Sequence, residues 1–261
     1  MLTEDQTLKQ RYENFALTGD VTTTASDYRL RELEIDLGLQ SIRDGDKILD
    51  VGCGPGVALL AYAGQRDVEA FGIDYAENMV AFARKNVESF KKRKITIEHA
   101  SVTDLPFPDA TFDVVTSHRC LMALLDWEKQ KHALAEIARV LKPGGTLVLM
   151  EGTLDGIERL NNWRVRFGLS EIDAAGRDRL ITLKFREAEL LAYVRQIYEL
   201  QRIQRWGMYY FITRIVQPLL VAPEKPSYDH KLNEVAQIIA RQIPDLNELG
   251  HLVGFILRKP T

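Results

Sequence analysis

The sequence predicts an α/β protein, a mostly parallel sheet with helices on both faces. Two observations predict it. Short apolar runs alternate with amphipathic segments between residues 47 and 150, and a glycine-rich turn follows the first run directly. Strands joined through single helices form right-handed βαβ units, which bury a parallel sheet between helical layers.

The elements follow in order. Two N-terminal helices are expected within residues 1–40, the second carrying Tyr28 and Arg29. Residues 47–51, Lys-Ile-Leu-Asp-Val, are a short apolar run stopped by glycines, a buried strand. Residues 57–63 form a helix that Gly64 ends, and residues 68–73 form the second strand, closed by Asp74. Residues 76–90 place Met79, Ala83, Val87 and Phe90 on one helical face. Strands at 95–98 and 112–117 flank a loop punctuated by Pro106 and Pro108. A helix over 128–141 stops at Lys142-Pro143-Gly144-Gly145, and a fifth strand covers 146–150. Beyond Gly152 a helical pattern is broken by Gly156, Gly168 and Gly176. A helix at 187–197, a strand at 198–206, an aromatic insertion at 207–247 and a closing strand at 252–257 complete one domain.

Composition narrows the function. The 261 residues are 46% hydrophobic and 27% charged, which excludes wholesale disorder. Lys and Arg number 34 against 37 Asp and Glu, and a net charge of −3 argues against a nucleic-acid partner. Cys53 and Cys120 lie far apart with no companion at zinc-ligand spacing, so no metal is expected and the compartment reads as reducing and cytoplasmic. The first residues show no secretory signal, and the apolar tracts at 57–63 and 209–222 fall short of a membrane span. Residues 158–214 hold eleven Lys and Arg against seven Asp and Glu, leaving −7 for the remainder. That basic segment suits an anionic substrate, or is a solvated helical face.

The chemistry concentrates in Asp50-Val51-Gly52-Cys53-Gly54-Pro55-Gly56, where a strand turns into a helix. Glycines there let the backbone lie flush against a ligand. A dinucleotide loop spaces its glycines G-x-G-x-x-G around a pyrophosphate. Here the spacing is G-x-G-x-G and a carboxylate precedes the first glycine. That carboxylate repels a pyrophosphate and favours a sulfonium or ammonium, so the loop disfavours an NAD-dependent oxidoreductase. Asp74, eighteen residues after Gly56, can accept both hydroxyls of a ribose, or can cap the next helix.

These residues resemble the first motif of class I S-adenosylmethionine-dependent methyltransferases. The likeness continues through Gly72-Ile73-Asp74, Asp104-Leu105-Pro106-Phe107 with Phe112-Asp113, and residues 139–145, covering roughly residues 28–152. The resemblance implies a Rossmann-like, seven-stranded sheet of order 3-2-1-4-5-7-6, a cofactor-binding core at 41–152, and S-adenosylmethionine across the carboxyl ends of the strands. It implies that Gly52, Cys53, Gly54 and Gly56 line the methionine and ribose portions, with Asp50 beside the cationic end. Asp74 would bind the ribose, and Tyr75 and Met79 would flank the adenine. Where the family often has Gly-Asp this chain has Ala100-Ser101, so Ser101 or the Val102 amide would meet the adenine amino group. Ser117 and His118 would touch the methionine end, and Arg29 resembles an arginine that pairs with the methionine carboxylate, or is a surface arginine.

A methyltransferase acting on a hydroxyl gains from a general base. The candidates are His118, Glu151 and His230, then Tyr12 and Tyr28. Residues 153–183 and 207–247 are expected to fold over the strand ends as a lid. Trp163, Phe167, Trp206, Tyr209, Tyr210 and Phe211 either shape an acceptor pocket or pack the lid or a homodimer interface, and Arg164, Arg166 and Arg205 are candidates to attract an anion. The expectation is methylation of a small molecule at a hydroxyl of a sugar-like or anionic metabolite. N- or C-methylation, and a non-catalytic S-adenosylmethionine-binding module, remain alternatives.

Overall fold

The computed structural model describes residues 4–173, 182–243 and 248–261. Parts of the expected lid, residues 174–181 and 244–247, lie outside the described residues. Seven strands form one sheet: β1 (Lys47–Val51), β2 (Glu69–Asp74), β3 (Ile95–His99), β4 (Phe112–His118), β5 (Leu141–Gly152), β6 (Glu199–Gln204) and β7 (Leu252–Arg258). Their order is β3-β2-β1-β4-β5-β7-β6. The first five run parallel, whereas β7 pairs antiparallel with both β5 and β6.

Among the described residues, ten α-helices connect or cover the strands: α1 (Glu4–Leu17), α2 (Tyr28–Leu39), α3 (Val57–Gln65), α4 (Glu77–Glu88), α5 (Trp127–Val140), α6 (Leu154–Arg166), α7 (Glu187–Val194), α8 (Gly207–Phe211), α9 (Gln217–Val221) and α10 (Lys231–Gln242). Side chains alternate across the sheet. Ile48 faces a layer built from α2, α3, α8 and α10, while Leu49 and Val51 face α5 and α7. The two layers bury Leu30, Leu59 and Tyr62 on one side and Leu134, Ile137 and Leu190 on the other. Each such aliphatic side chain contributes about 1.5–3 kcal/mol.

Two elements differ from the sequence expectation. Helix α3 runs through Gly64, because the fully buried Tyr62 and Ala63 hold that turn more firmly than one glycine weakens it. Residues 142–145 do not end in a loop. They open β5, which pairs Leu141 with Phe112, and the Lys142 ammonium holds the Asp113 carboxylate at 2.7 Å. The region 153–186 is helical only in α6 among the described residues.

Helix α1 shields the carboxyl edge of the sheet. Tyr12, Phe15 and Ala16 pack on Ala76, Met79 and Phe82. The Glu13 carboxylate accepts the Glu77 and Asn78 amides at 2.8 and 2.7 Å, satisfying the open N-terminus of α4.

Candidate active site

A cavity of about 1250 Å³ lies over the carboxyl ends of β1, β2 and β4. Asp50, Gly52, Cys53, Gly54, Asp74, Tyr75, Ser101, Val102 and His118 all line it. The sequence motifs thus converge where open α/β sheets bind ligands, beyond the strand ends.

The glycine loop is shaped by close approach. Gly52 has a φ of 65°. A Cβ there would stand 2.5 Å from the Cys120 sulfur, so only glycine admits both the turn and its neighbour. Asp74 accepts the Gly54 amide through Oδ2 and the Ala76 amide through Oδ1, each at 3.0 Å. Cap and loop clasp are therefore one side chain's work. Tyr75 is half exposed and stacks on His99, offering a ring face at the cavity wall.

Asp50 is buried and accepts the Thr116 hydroxyl at 2.7 Å. Burial, opposed by that hydrogen bond and aided by Asp74, pushes its carboxyl up to about 7. His118 Nε2 lies 2.9 Å from the Tyr62 hydroxyl and 4.0 Å from Asp50 Oδ1. Burial, then the charges of Arg119 and Arg31, push the imidazole down to about 3, so it is neutral and a weak base at pH 7. Tyr12 also lines the cavity, and burial pushes its phenol up to about 12.

Several expected site residues stand elsewhere. Glu151 lies behind the cavity wall, wholly buried, and accepts the amides of Leu121 and Met122 and the Ser117 hydroxyl. It braces the turn after β4 and is no base for an acceptor in the cavity; Ser117 is occupied with it. His230 caps α10, its Nδ1 accepting the Leu232 amide, and does not line the cavity. Arg29 turns to α10, donating to Gln237 at 3.2 Å and pairing with Glu234 at 3.5 Å. Tyr28 lies beside it, outside the cavity lining. Met79 is buried under Tyr12 and Phe15 rather than beside a ligand. Gly56 faces α4, where a Cβ would meet Val87 at 3.3 Å.

The lid aromatics take the packing role. Trp163 stacks on Phe167 and both meet Phe211 edge to face, while Trp206, Tyr209 and Tyr210 are buried in the core. Arg205 is held by the Glu187 carboxylate at 2.8 and 2.7 Å, while Arg166 lies outside the lining. Of the three candidate arginines Arg164 lines the cavity, donating to the Arg214 carbonyl.

Sequence reasoning missed other charged groups of the cavity wall. Arg31, Arg119, Lys184, Arg214 and Tyr228 line it. Arg31 stands two residues after Arg29, a separation that puts the two on opposite faces of α2. The Arg214 guanidinium lies 2.5 Å from Asp27, which also accepts the Tyr209 hydroxyl.

Residues 48–145 match the family model of a methyltransferase domain. Over 115 residues the chain is 34% identical to the demethylmenaquinone methyltransferase of Bacillus mycoides (strain KBAB4), covering 43% of this chain and 47% of that protein. Over 134 residues it is 35% identical to the 27-O-demethylrifamycin SV methyltransferase of Amycolatopsis mediterranei (strain S699), covering 50% and 47%. The match thus spans about half the length of these relatives. In fold the chain is similar to one in the complex of the Haloferax volcanii Trm112 methyltransferase activator with a candidate methyltransferase, at a TM-score of 0.65 and 20% identity over 97% of this chain and 98% of that one. Over residues 48–145 the chain is similar to methyltransferase domains.

The donor set fits that family's cofactor. Asp74 keeps a second lone pair on each oxygen for ribose hydroxyls, Asp50 presents a carboxyl to a cation, and Tyr75 offers a ring to a base. No helix among the described residues is long and apolar enough to cross a membrane.

Proposed function

We propose that the chain methylates a small-molecule acceptor with S-adenosylmethionine, at an oxygen of an anionic metabolite. The observation that carries this reading is the clasp of Asp74 on Gly54, which sets the glycine loop and a ribose acceptor on one wall of one cavity. S-adenosylmethionine, when bound, supplies a methyl group on a cationic sulfur. Gly52, Cys53, Gly54, Asp74, Tyr75, Ser101 and Val102 would hold it, with Asp50 facing its charge.

The residues of this chain contribute positioning above all. Aligning an acceptor with a methyl group is worth up to about 7–11 kcal/mol. Helix α1, Arg164 of α6 and the segment around Tyr228 contribute to the cavity walls. The names of two relatives indicate small acceptors, and one name specifies an oxygen. Arg31, Arg119, Arg164 and Arg214 on the acceptor side support an anionic molecule over a neutral sugar.

Calorimetry with S-adenosylmethionine and with NAD, followed by labelled-methyl transfer into a panel of hydroxylated acids, tests the reading. Binding of S-adenosylmethionine and label in an oxygen-linked methyl are expected. NAD binding without S-adenosylmethionine binding would defeat the methyltransferase, and cofactor binding without transfer to any acceptor would leave a binding module.

A further inference from the structure

We infer that Arg31 and Arg119 form an oxyanion subsite on the acceptor side of the cavity, holding the ionised hydroxyl of a phenolic or enolic acceptor. The inference rests on the methyl-transfer reading above and names its substrate class.

Arg119 follows His118 directly at the end of β4. Its φ is 58°, a left-handed conformation that a residue with a Cβ adopts only when its surroundings impose it. Its amide donates to the Met150 carbonyl at 2.8 Å, which fixes the turn and sends the side chain to the cavity wall. There the guanidinium meets Glu34 Oε2 at 2.9 Å. Glu34 is wholly buried on α2, and its Oε1 has no hydrogen-bond partner among the described residues. Arg31 stands three residues before Glu34, donates to the Val21 carbonyl at 2.7 Å and lines the same cavity.

Arg119 thus pairs with the buried Glu34 carboxylate, and Arg31 stands beside the pair as a second cation on the same cavity wall. Burial and then the charge of Arg119 hold the Arg31 guanidinium below its ordinary value, while burial pushes the Glu34 carboxyl up. Asp20 and Glu32 also attract Arg31, but both are exposed and screened by solvent, and the buried carboxylates nearby are otherwise engaged. Asp27 is taken by Arg214 and the Tyr209 hydroxyl. Glu151 is taken by backbone amides, and Tyr12 keeps its proton. His118 and His251 are neutral, both pushed down to about 3 by burial. An excess of half-desolvated positive charge is unfavourable, and an anion held by the planar guanidinium forks relieves it.

An opposite charge within hydrogen-bond range lowers an acid's pKa by about 1–3 units. A phenol, ordinarily near 10 as in tyrosine, comes within reach of neutral pH; an aliphatic alcohol does not. The subsite therefore does what no protein base here is placed to do. On binding, the acceptor's O–H proton leaves to solvent. The oxygen's lone pair then forms the new O–C bond, while the electron pair of the S–C bond stays with sulfur.

The test is calorimetric binding of simple phenols, their matched benzylic alcohols and their methyl ethers to the full chain, at pH 7 in two buffers of different ionisation enthalpy. Phenols should bind more tightly than the alcohols and release a fraction of a proton, up to about half, where the alcohols release none. Arg31→Gln and Arg119→Gln should each weaken phenol binding by about tenfold or more, as loss of a charged hydrogen bond does. Arg119→Lys should restore part of the affinity. Arg119→Gly removes the guanidinium while relaxing the backbone and should show the same loss, with a denaturant melt checking that it folds. Equal binding of phenols and alcohols, or unchanged proton release in Arg31→Gln and Arg119→Gly, would overturn the subsite. S-adenosylmethionine binding measured on the same variants separates the two failures. If the wild type binds S-adenosylmethionine but shows no phenol preference, only the subsite falls; if it binds no S-adenosylmethionine, the methyl-transfer reading falls first.

Discussion

Asp74 and Gly54 are joined at 3.0 Å, carboxylate to amide, across the gap between the tip of β2 and the glycine loop. Through its other oxygen the same carboxylate accepts the Ala76 amide ahead of α4. One side chain therefore sets the loop, starts the helix and faces the cavity.

Replacing Asp74 by Asn keeps the size and removes the charge and half the acceptor capacity. S-adenosylmethionine affinity should fall by about ten- to a hundredfold, the loss of a charged hydrogen bond to a ligand. Titration calorimetry checks it, and undiminished affinity would defeat the ribose assignment.

Gly52→Ala must place a Cβ 2.5 Å from the Cys120 sulfur at a φ of 65°. The strain should destabilise the domain by about 1–3 kcal/mol and distort the loop. A lowered denaturation midpoint together with lost cofactor binding is the expected pair of results. An unchanged midpoint would show that the loop yields freely.

Asp50 and Glu151 are both pushed up to about 7, chiefly by burial. Unfolded carboxyls titrate near 4. Between these values the folded chain holds protons that the unfolded chain has lost, so the stabilisation is complete below about pH 4 and lost as pH rises to about 7. Asp50→Asn and Glu151→Gln should flatten that slope in denaturant melts taken at pH 5 and 8. A cation bound beside Asp50 favours its ionised form, so S-adenosylmethionine affinity should rise with pH up to about 7.

His118 is neutral across the working range because its imidazole is pushed down to about 3. His118→Gln should leave turnover within roughly tenfold, the lower bound of general-base effects being a hundredfold. The pH profile should also keep its shape between 5 and 8. A fall of several hundredfold with loss of an inflection would restore the histidine as base.

Glu187 gathers Arg205, Arg159 and the Thr153 hydroxyl, tying α6 and α7 to the end of β6. Glu187→Gln leaves two cations with poor compensation and should cost about 3–5 kcal/mol. Denaturant melts give the number, and a cost below 1 kcal/mol would mean that solvent replaces the carboxylate.

Much of the core was legible in the chain. The alternation of apolar runs with amphipathic segments identified β1 to β4, and Asp50, the loop glycines and Asp74 marked the cavity because local spacing and strand ends suffice to place them. Other assignments failed where a side chain's partner is distant in sequence. Arg29 and Arg31 look alike along the chain, yet α10 claims the first and the cavity receives the second. His230 reads as a base candidate until it is seen to cap its own helix.

The sequence by itself determined the sheet, the glycine loop and the acidic residue that follows it. These depend on periodicity and on short-range steric demands, which neighbouring residues impose on one another. Only the tertiary structure decided which charged groups face the cavity: Arg119 on the buried carboxylate of Glu34, Arg205 withdrawn to Glu187, Glu151 consumed by backbone amides. Buried charges and polar groups must find partners wherever the fold brings them, and those partners lie 18 to 85 residues away in this chain.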